Sequence, residues 1–355
     1  MRIIQIIPFF GLGGAEIMCE NLIYELIKQG HDVTVISMYT RKTPITERLE
    51  RAKVDLRYLD KKAGFDFSMF RKIKKILREK RPHALHIHLY CVKYAVPAAR
   101  ALRVPKIVYT VHSIAQKDAG KMARVLNEFF FKVWDVVPVA LSKLVRETVV
   151  EAYRLPPEKV PFIYNGVNLE KCVSKVSYEV EGEIKILHVG SFYQPKNHIG
   201  LVKAFRLVCE KQAACKLYLI GEGVERENIE RYVFEHGLKD KVVFLGAQKD
   251  VFVYLKEMDI FTLPSNYEGI PLSLAEAMGT GLPIVATAVG GVPDMVTHEE
   301  SALLTAVDEK EIAEALLRLV ESKELRERLG KNALSRAEAF SAKIMAEKYL
   351  EIYGG

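Results

Sequence analysis

The chain has 355 residues, 49% of them hydrophobic and 27% charged, which is enough to fill two cores and too apolar for a disordered or fibrous protein. Its net charge of +7 is unevenly carried: residues 1–180 hold 31 Lys and Arg against 18 Asp and Glu, whereas the remainder is acidic. That imbalance predicts that one half meets an anionic surface while the other does not.

In chain order, short β-branched runs alternate with amphipathic stretches, the pattern of parallel α/β layers. The opening "MRIIQIIPFF" is too short to span a membrane and lacks a cleavage site, so it reads as a buried strand, Ile3–Ile7. "FFGLGGAEI" follows, a glycine loop ahead of a helix over 15–29. As a dinucleotide fingerprint it is weak, because Glu16 stands where the third glycine would be. Further strands are predicted at Asp32–Ser37, Ala84–Ile87, Lys106–Thr110 and Val137–Ala140. A basic amphipathic helix is predicted over 69–81, with Met69, Phe70, Ile73, Ile76 and Leu77 on one face and Arg71, Lys72, Lys74, Lys75 and Arg78 on the other.

After the charged stretch "NLEKCVSKVSYEVEGE" a second series begins, with strands at Ile184–Val189, Lys216–Ile220, Val242–Phe244, Ile260–Leu263 and Pro283–Thr287. The reading is two Rossmann-like, doubly wound domains, 1–168 and 169–338, facing across an interdomain cleft. A C-terminal helix over 339–355 is expected to pack back on the first domain. Ligands of such sheets bind beyond the carboxyl ends of the strands. The five cysteines form no C-x-x-C pair, which suits a reduced, cytosolic compartment.

"YEGIPLSLAEAMGTGLPIVATAVGG" carries the chemistry. Glu268 sits in the loop after a strand's carboxyl end. Pro271 suits the first turn of a short helix that Gly279 and Gly281 end, and Glu276 lies on that helix. A carboxylate on an apolar helix needs partners, and a helix N-terminus attracts phosphate. Together they fit a ligand with both hydroxyls and phosphates, such as a sugar nucleotide. Two glutamates alone would more simply be solvated surface residues.

The wider stretch from Asp250 to Val296 resembles the core of the retaining glycosyltransferases of family 4, with their E-x7-E motif. "GLGGAE" resembles that family's first glycine loop, "VHS" its active-site histidine, "NGVN" the segment entering its second domain, "VGSFYQPKNH" its donor-diphosphate loop and "LIGEG" a donor-base loop. The resemblance covers most of the chain and implies the GT-B fold. It implies that Glu276 bonds the ribose hydroxyls, that Glu268 contacts the transferred sugar, and that the N–H groups of Gly269, Ile270 and Leu272 lie near sugar or phosphate. It also implies that Gly13 and Gly14 approach the diphosphate, that Gly221 lies near the base, and that His112 stands beside the donor sugar.

Lys196 would steady the leaving diphosphate, since a fixed cation there acts on charge that grows as the glycosidic bond breaks. Ser191 departs from the pattern, because the family often has an arginine there. The resemblance implies no cofactor and no metal: the donor, expected to be UDP-linked, is a substrate. The acceptor is expected to be a growing glycan or a lipid-linked one.

His83, His86 and His88 in "PHALHIH" admit a metal site on paper, but a strand edge reaching the cleft is the simpler reading, and no D-x-D occurs. The basic helix over 69–81 and the basic first half together predict peripheral contact with an anionic membrane from the cytoplasmic side. No nucleic-acid motif appears. Two other classes remain open at this point: an epimerase or hydrolase of nucleotide sugars on the same fold, and a catalytically silent binding subunit.

Overall fold

The computed structural model describes residues 1–354. Its contacts divide them into two units: Met1–Gly166 with the C-terminal helix Ala342–Gly354, and Val167–Ser341. The divisions fall after 166 and 341 rather than after 168 and 338. Val167 donates its N–H to the Phe340 carbonyl and bridges Ser341, which keeps both segments in the second unit.

The first unit is a parallel six-stranded sheet with strands β1 (Arg2–Ile7), β2 (Asp32–Ser37), β3 (Asp55–Tyr58), β4 (Ala84–His88), β5 (Lys106–Val111) and β6 (Val137–Ala140), in the order β3-β2-β1-β4-β5-β6. Alternate residues of the central strands feed two cores. Ile4, Ile6, Leu85 and Ile87 face the helices Ser68–Lys80 and Val92–Arg100, while Ile3 and Ile7 face the helices Gly14–Lys28 and Ala342–Gly354. A parallel sheet covered on both faces needs apolar residues at most positions, which explains the largely apolar strands.

The second unit has β7 (Ile184–Val189), β8 (Cys215–Ile220), β9 (Val242–Gly246), β10 (Ile260–Leu263), β11 (Ile284–Thr287) and β12 (Leu303–Thr305), in the order β12-β11-β10-β7-β8-β9. Read from its other edge, this is the order of the first sheet. In each unit the direction of winding reverses between the first strand and the fourth, at β1/β4 and at β7/β10, and that reversal opens a crevice at the strands' carboxyl ends.

The edge strands β3 and β12 are absent from the sequence reading. β3 carries Asp55 and Arg57 in a run of four, and β12 is three residues long, so neither shows the apolar run of a central strand. The charged segment after 167 also does more than connect. Lys175 N–H donates to the Thr280 carbonyl and Tyr178 OH to the Gly281 carbonyl, strapping the segment along the helix Leu272–Thr280. Among the described residues, no helix is long and apolar enough to cross a membrane.

Candidate active site

The loops after β7 and β10 meet at the second sheet's reversal. After β7 the chain makes a short turn, Gln194–Lys196, and Asn197 then adopts a left-handed backbone with φ 52° to cap the helix His198–Lys211 through its side chain. The same side chain donates to the Pro264 carbonyl at 3.0 Å, just past β10. From the other loop, Asn266 donates its backbone N–H to the Pro195 carbonyl and its side-chain amide to the Gln194 carbonyl, both at 2.8 Å. These stitches set Lys196 Nζ 2.7 Å from Glu268 Oε1, which also accepts from Ser265 Oγ at 2.6 Å. Glu268 is only 6% exposed, so its carboxylate is held in one geometry by a cation and a hydroxyl. The two loops also line a cavity of about 250 Å3 with Glu225 and Ile229.

Backbone packing around Glu268 is close. Gly290, after β11, has φ 56°, and a Cβ there would lie 1.8 Å from the Glu268 carbonyl oxygen. Gly221, after β8, stands likewise against the Gly190 carbonyl at 1.9 Å, with φ 142°. Only glycine supplies these conformations and approaches, and they seat the loops of β11 and β8 against the two central ones.

The helix Leu272–Thr280 starts just after Glu268. Pro271 occupies the cap position before the helix rather than its first turn, and its carbonyl accepts the N–H groups of both Leu274 and Ala275. The N–H groups of Leu272 and Ser273 therefore stand at the helix mouth without an intrahelical acceptor. Ile270 and Leu272 bury their side chains, so only their backbone can face a ligand, whereas Gly269 is partly exposed. The helix ends at Gly281, with φ 74°, and Gly279 lies inside it, where its missing side chain admits Leu169 and Cys172.

Glu276 is at the middle of this helix. Burial pushes its carboxyl up to about 8, Lys171 works against that shift, and Asp250 adds to it. Its charged neighbours are thus Lys171 and Asp250, neither of which the sequence reading singled out. Lys171 lies in the strap, where sequence suggested only a linker. Ser191, after β7, is exposed, and Gly221 is partly exposed.

Gly13, Gly14 and His112 belong to the first unit. Gly13 and Gly14 are exposed at the start of the helix Gly14–Lys28, with the Glu16 side chain folded back toward Gly13. His112 follows β5, its N–H donating to Asp118 Oδ1 at 3.0 Å, while Tyr109 OH donates to Asp118 Oδ2 at 2.5 Å. Burial raises Asp118 to about 6 and lowers His112 to about 4.

Behind His112 runs a chain of hydrogen bonds. His112 Nε2 meets His88 Nδ1 at 3.1 Å, and His88 Nε2 meets Gln5 Oε1 at 2.9 Å. Gln5 Nε2 donates to Tyr353 OH at 3.4 Å, which lies 2.6 Å from His86 Nδ1. His86 Nε2 meets Thr110 Oγ1 at 2.7 Å, and Thr110 meets Tyr349 OH at 2.8 Å. With the Gln5 carbonyl facing His88, His88 carries its proton on Nε2 and offers Nδ1 as an acceptor. His112 must then carry its proton on Nε2, which leaves its Nδ1 an acceptor. Burial holds His86 and His88 well below the ordinary imidazole range, so both are neutral. Every ring nitrogen of His86 and His88 is engaged inside the unit, and His83 Nδ1 accepts the Arg2 backbone N–H at 2.9 Å.

Two parallel doubly wound units of identical strand order are the architecture of the GT-B fold, which the solved structures below share. The comparisons agree: the model described as "Glycosyltransferase Family 4" matches residues 12–171, and the one described as "Glycosyl transferases group 1" matches residues 173–336. The chain belongs to the family 4 glycosyltransferases. It is 26% identical to N-acetyl-alpha-D-glucosaminyl L-malate synthase of Bacillus anthracis, over 96% of this chain and 94% of that protein. It is also 26% identical to the UDP-Gal:alpha-D-GlcNAc-diphosphoundecaprenol alpha-1,3-galactosyltransferase of Escherichia coli, over 73% and 72%. The solved structure of Anabaena Alr3699/HepE in complex with UDP and glucose superposes with a TM-score of 0.85 at 18% identity, covering 99% of each chain.

Proposed function

We infer that this glycosyltransferase moves a hexose or N-acetylhexosamine, with retention of configuration, from a UDP-sugar to a glycan or lipid-linked acceptor. It does so at the cytoplasmic face of a membrane and without a metal or other cofactor. The observation that carries this reading is the Lys196–Glu268 pair, held by Asn197, Asn266 and Ser265 at the crevice between β7 and β10. Support for donor and acceptor comes from related proteins. One is a UDP-galactose-dependent transferase acting on a diphosphoundecaprenol-linked sugar, and a structural neighbour binds UDP and glucose.

In this mechanism the bond between the sugar's anomeric carbon and the diphosphate oxygen breaks, and charge grows on that oxygen. Lys196 meets that charge, releasing Glu268 to stabilise the developing positive charge on the sugar. The acceptor hydroxyl attacks from the face the diphosphate leaves, and its proton passes to the departing diphosphate. Glu276 bonds the ribose hydroxyls. Gly221 lies by the base, and Gly13, Gly14, Ser191 and the N–H groups of Gly269, Ile270 and Leu272 line the phosphates and sugar. His112 accepts a sugar hydroxyl at Nδ1.

A thermal-shift panel of nucleotide sugars tests this, because a ligand of the folded state raises the melting temperature by mass action. A UDP-sugar is expected to give the largest shift, with Glu276→Ala abolishing most of it. An equal shift in the variant, or none with any nucleotide sugar, refutes the site.

A further inference from the structure

The apolar face of the basic helix singled out by sequence is turned to protein: Met69, Ile73 and Leu77 of Ser68–Lys80 are buried in the first unit's core, and Phe70 and Ile76 pack partly against it. A different helix, Lys121–Val133, does the opposite. It buries Phe130 and Phe131, yet Met122 is 89% exposed, Val125 70%, Phe129 43% and Val133 62%, with Leu126 also exposed. At 100° per residue these five fall within a single stripe about one-third of the circumference wide. Lone exposed apolar residues are ordinary, but five in one stripe are not.

Charge says what covers the stripe. Lys121 and Lys132 lie along one border of it and Arg124 lies further round, while the only carboxylate on the helix, Glu128, is paired with Lys132 at 2.5 Å. The half of the chain around it is strongly basic, as counted above. An apolar ridge bordered by ammonium groups matches an anionic bilayer, whose headgroups take the lysines while its acyl boundary takes the ridge. A second copy of this chain would instead bring the same lysines toward one another.

We propose that helix Lys121–Val133 lies in the surface of an anionic membrane, inserting Met122, Val125, Leu126, Phe129 and Val133. The helix continues the loop that carries His112, whose N–H is fixed by Asp118 just ahead of it. A membrane-embedded helix therefore sets that loop at the bilayer surface, where a lipid-linked acceptor presents its sugar. This consequence rests on the functional reading above, whereas membrane binding itself does not.

The test is flotation of the full chain with phosphatidylcholine vesicles, with and without a third of phosphatidylglycerol, in the absence of substrates. Wild type is expected to float with the anionic vesicles. The triple variant Met122→Ser, Val125→Ser, Phe129→Ser is expected to bind them at least about tenfold more weakly. The variant should keep its melting temperature and its shift with UDP-sugars, so a folding defect or a failed donor site is seen separately. A variant with Arg71, Lys74, Lys75 and Arg78 changed to Gln is expected to float. Four outcomes overturn the proposal: no flotation of wild type, equal flotation of the triple variant, loss of flotation in the Arg71/Lys74/Lys75/Arg78 variant alone, or a wild-type dimer that the triple variant abolishes.

Discussion

If Glu276 accepts hydrogen bonds from the ribose hydroxyls, donor binding must release a proton near neutral pH. In the free protein burial places this carboxyl at about 8, so at pH 7 about nine-tenths of it is protonated. To accept a hydroxyl on each of its two oxygens the carboxyl has to be ionised, and removing the proton costs about 1 kcal/mol at pH 7 and about 3 kcal/mol at pH 6. The sign follows: affinity strengthens as pH rises, about tenfold per unit below pH 8, and levels off above it. The diphosphate of a nucleotide sugar is a diester that does not titrate in this window, so the proton comes from the protein. Titration calorimetry with a UDP-sugar in buffers of different ionisation enthalpy counts it directly. About 0.9 proton released per donor at pH 7 is expected, falling to none in Glu276→Gln, whose affinity should be flat with pH. If no proton is released by wild type, or affinity weakens with rising pH, Glu276 binds as a neutral donor and the assigned role is wrong. Without ligand the linkage runs the other way. The native carboxyl holds its proton where the unfolded one has lost it, so stability falls as pH rises from about 4.5 through 8.

Two further predictions concern the site's other groups. Lys196→Ala should lower kcat about 100- to 1000-fold while weakening donor binding far less, because its cation acts on charge that develops in the transition state. It should also cost about 2–3 kcal/mol of stability by leaving buried Glu268 with Ser265 alone. A kcat within threefold of wild type would remove Lys196 from the mechanism. For His112, nitrogen-15 NMR should find the proton on Nε2 and Nδ1 bare, with no titration between pH 5 and 8, since burial holds its pKa at about 4. A proton on Nδ1 would mean that the hydrogen-bond chain from Gln5 runs in the opposite sense.

What the sequence made legible was whatever repeats with a period or sits in a spaced motif. The central strands of both sheets were readable because burial on both faces writes a mostly apolar run, as in Ile3–Ile7 and Ile184–Val189. Among the edge strands β6 and β9 were readable, whereas β3 and β12 were not, the one being charged and the other only three residues long. The pair Lys196 and Glu268 was nameable from their loops, yet their contact depends on Asn197 and Asn266, whose hydrogen bonds join segments about 70 residues apart. The amphipathic helices show a related limit. An amphipathic pattern tells that a face is buried, not whether protein or lipid buries it. For Ser68–Lys80 the sheet does so, and in Lys121–Val133 the run "EFFF" hides two opposite apolar faces in one helix.

Polar residues buried in strands carry a final argument about division of labour. The first sheet commits Gln5, His86, His88 and Thr110, on adjacent strands and one face, to a neutral hydrogen-bond chain closed by Tyr349 and Tyr353 of the C-terminal helix. Such groups hold one another rigidly and place His112, but they supply no charge. At the corresponding reversal of the second sheet stand a lysine and a carboxylate in contact. Breaking a bond to a diphosphate requires fixed charge, so the second reversal has the means for that step and the first has the means only to orient. The chain's two strand orders are the same, and what separates their chemistry is which side chains the strands beside the reversal and the loops after them deliver to the crevice. For that reason changes in Tyr349 or Tyr353 should act through the position and tautomer of His112, whereas changes in Lys196 or Glu268 act on bond cleavage itself.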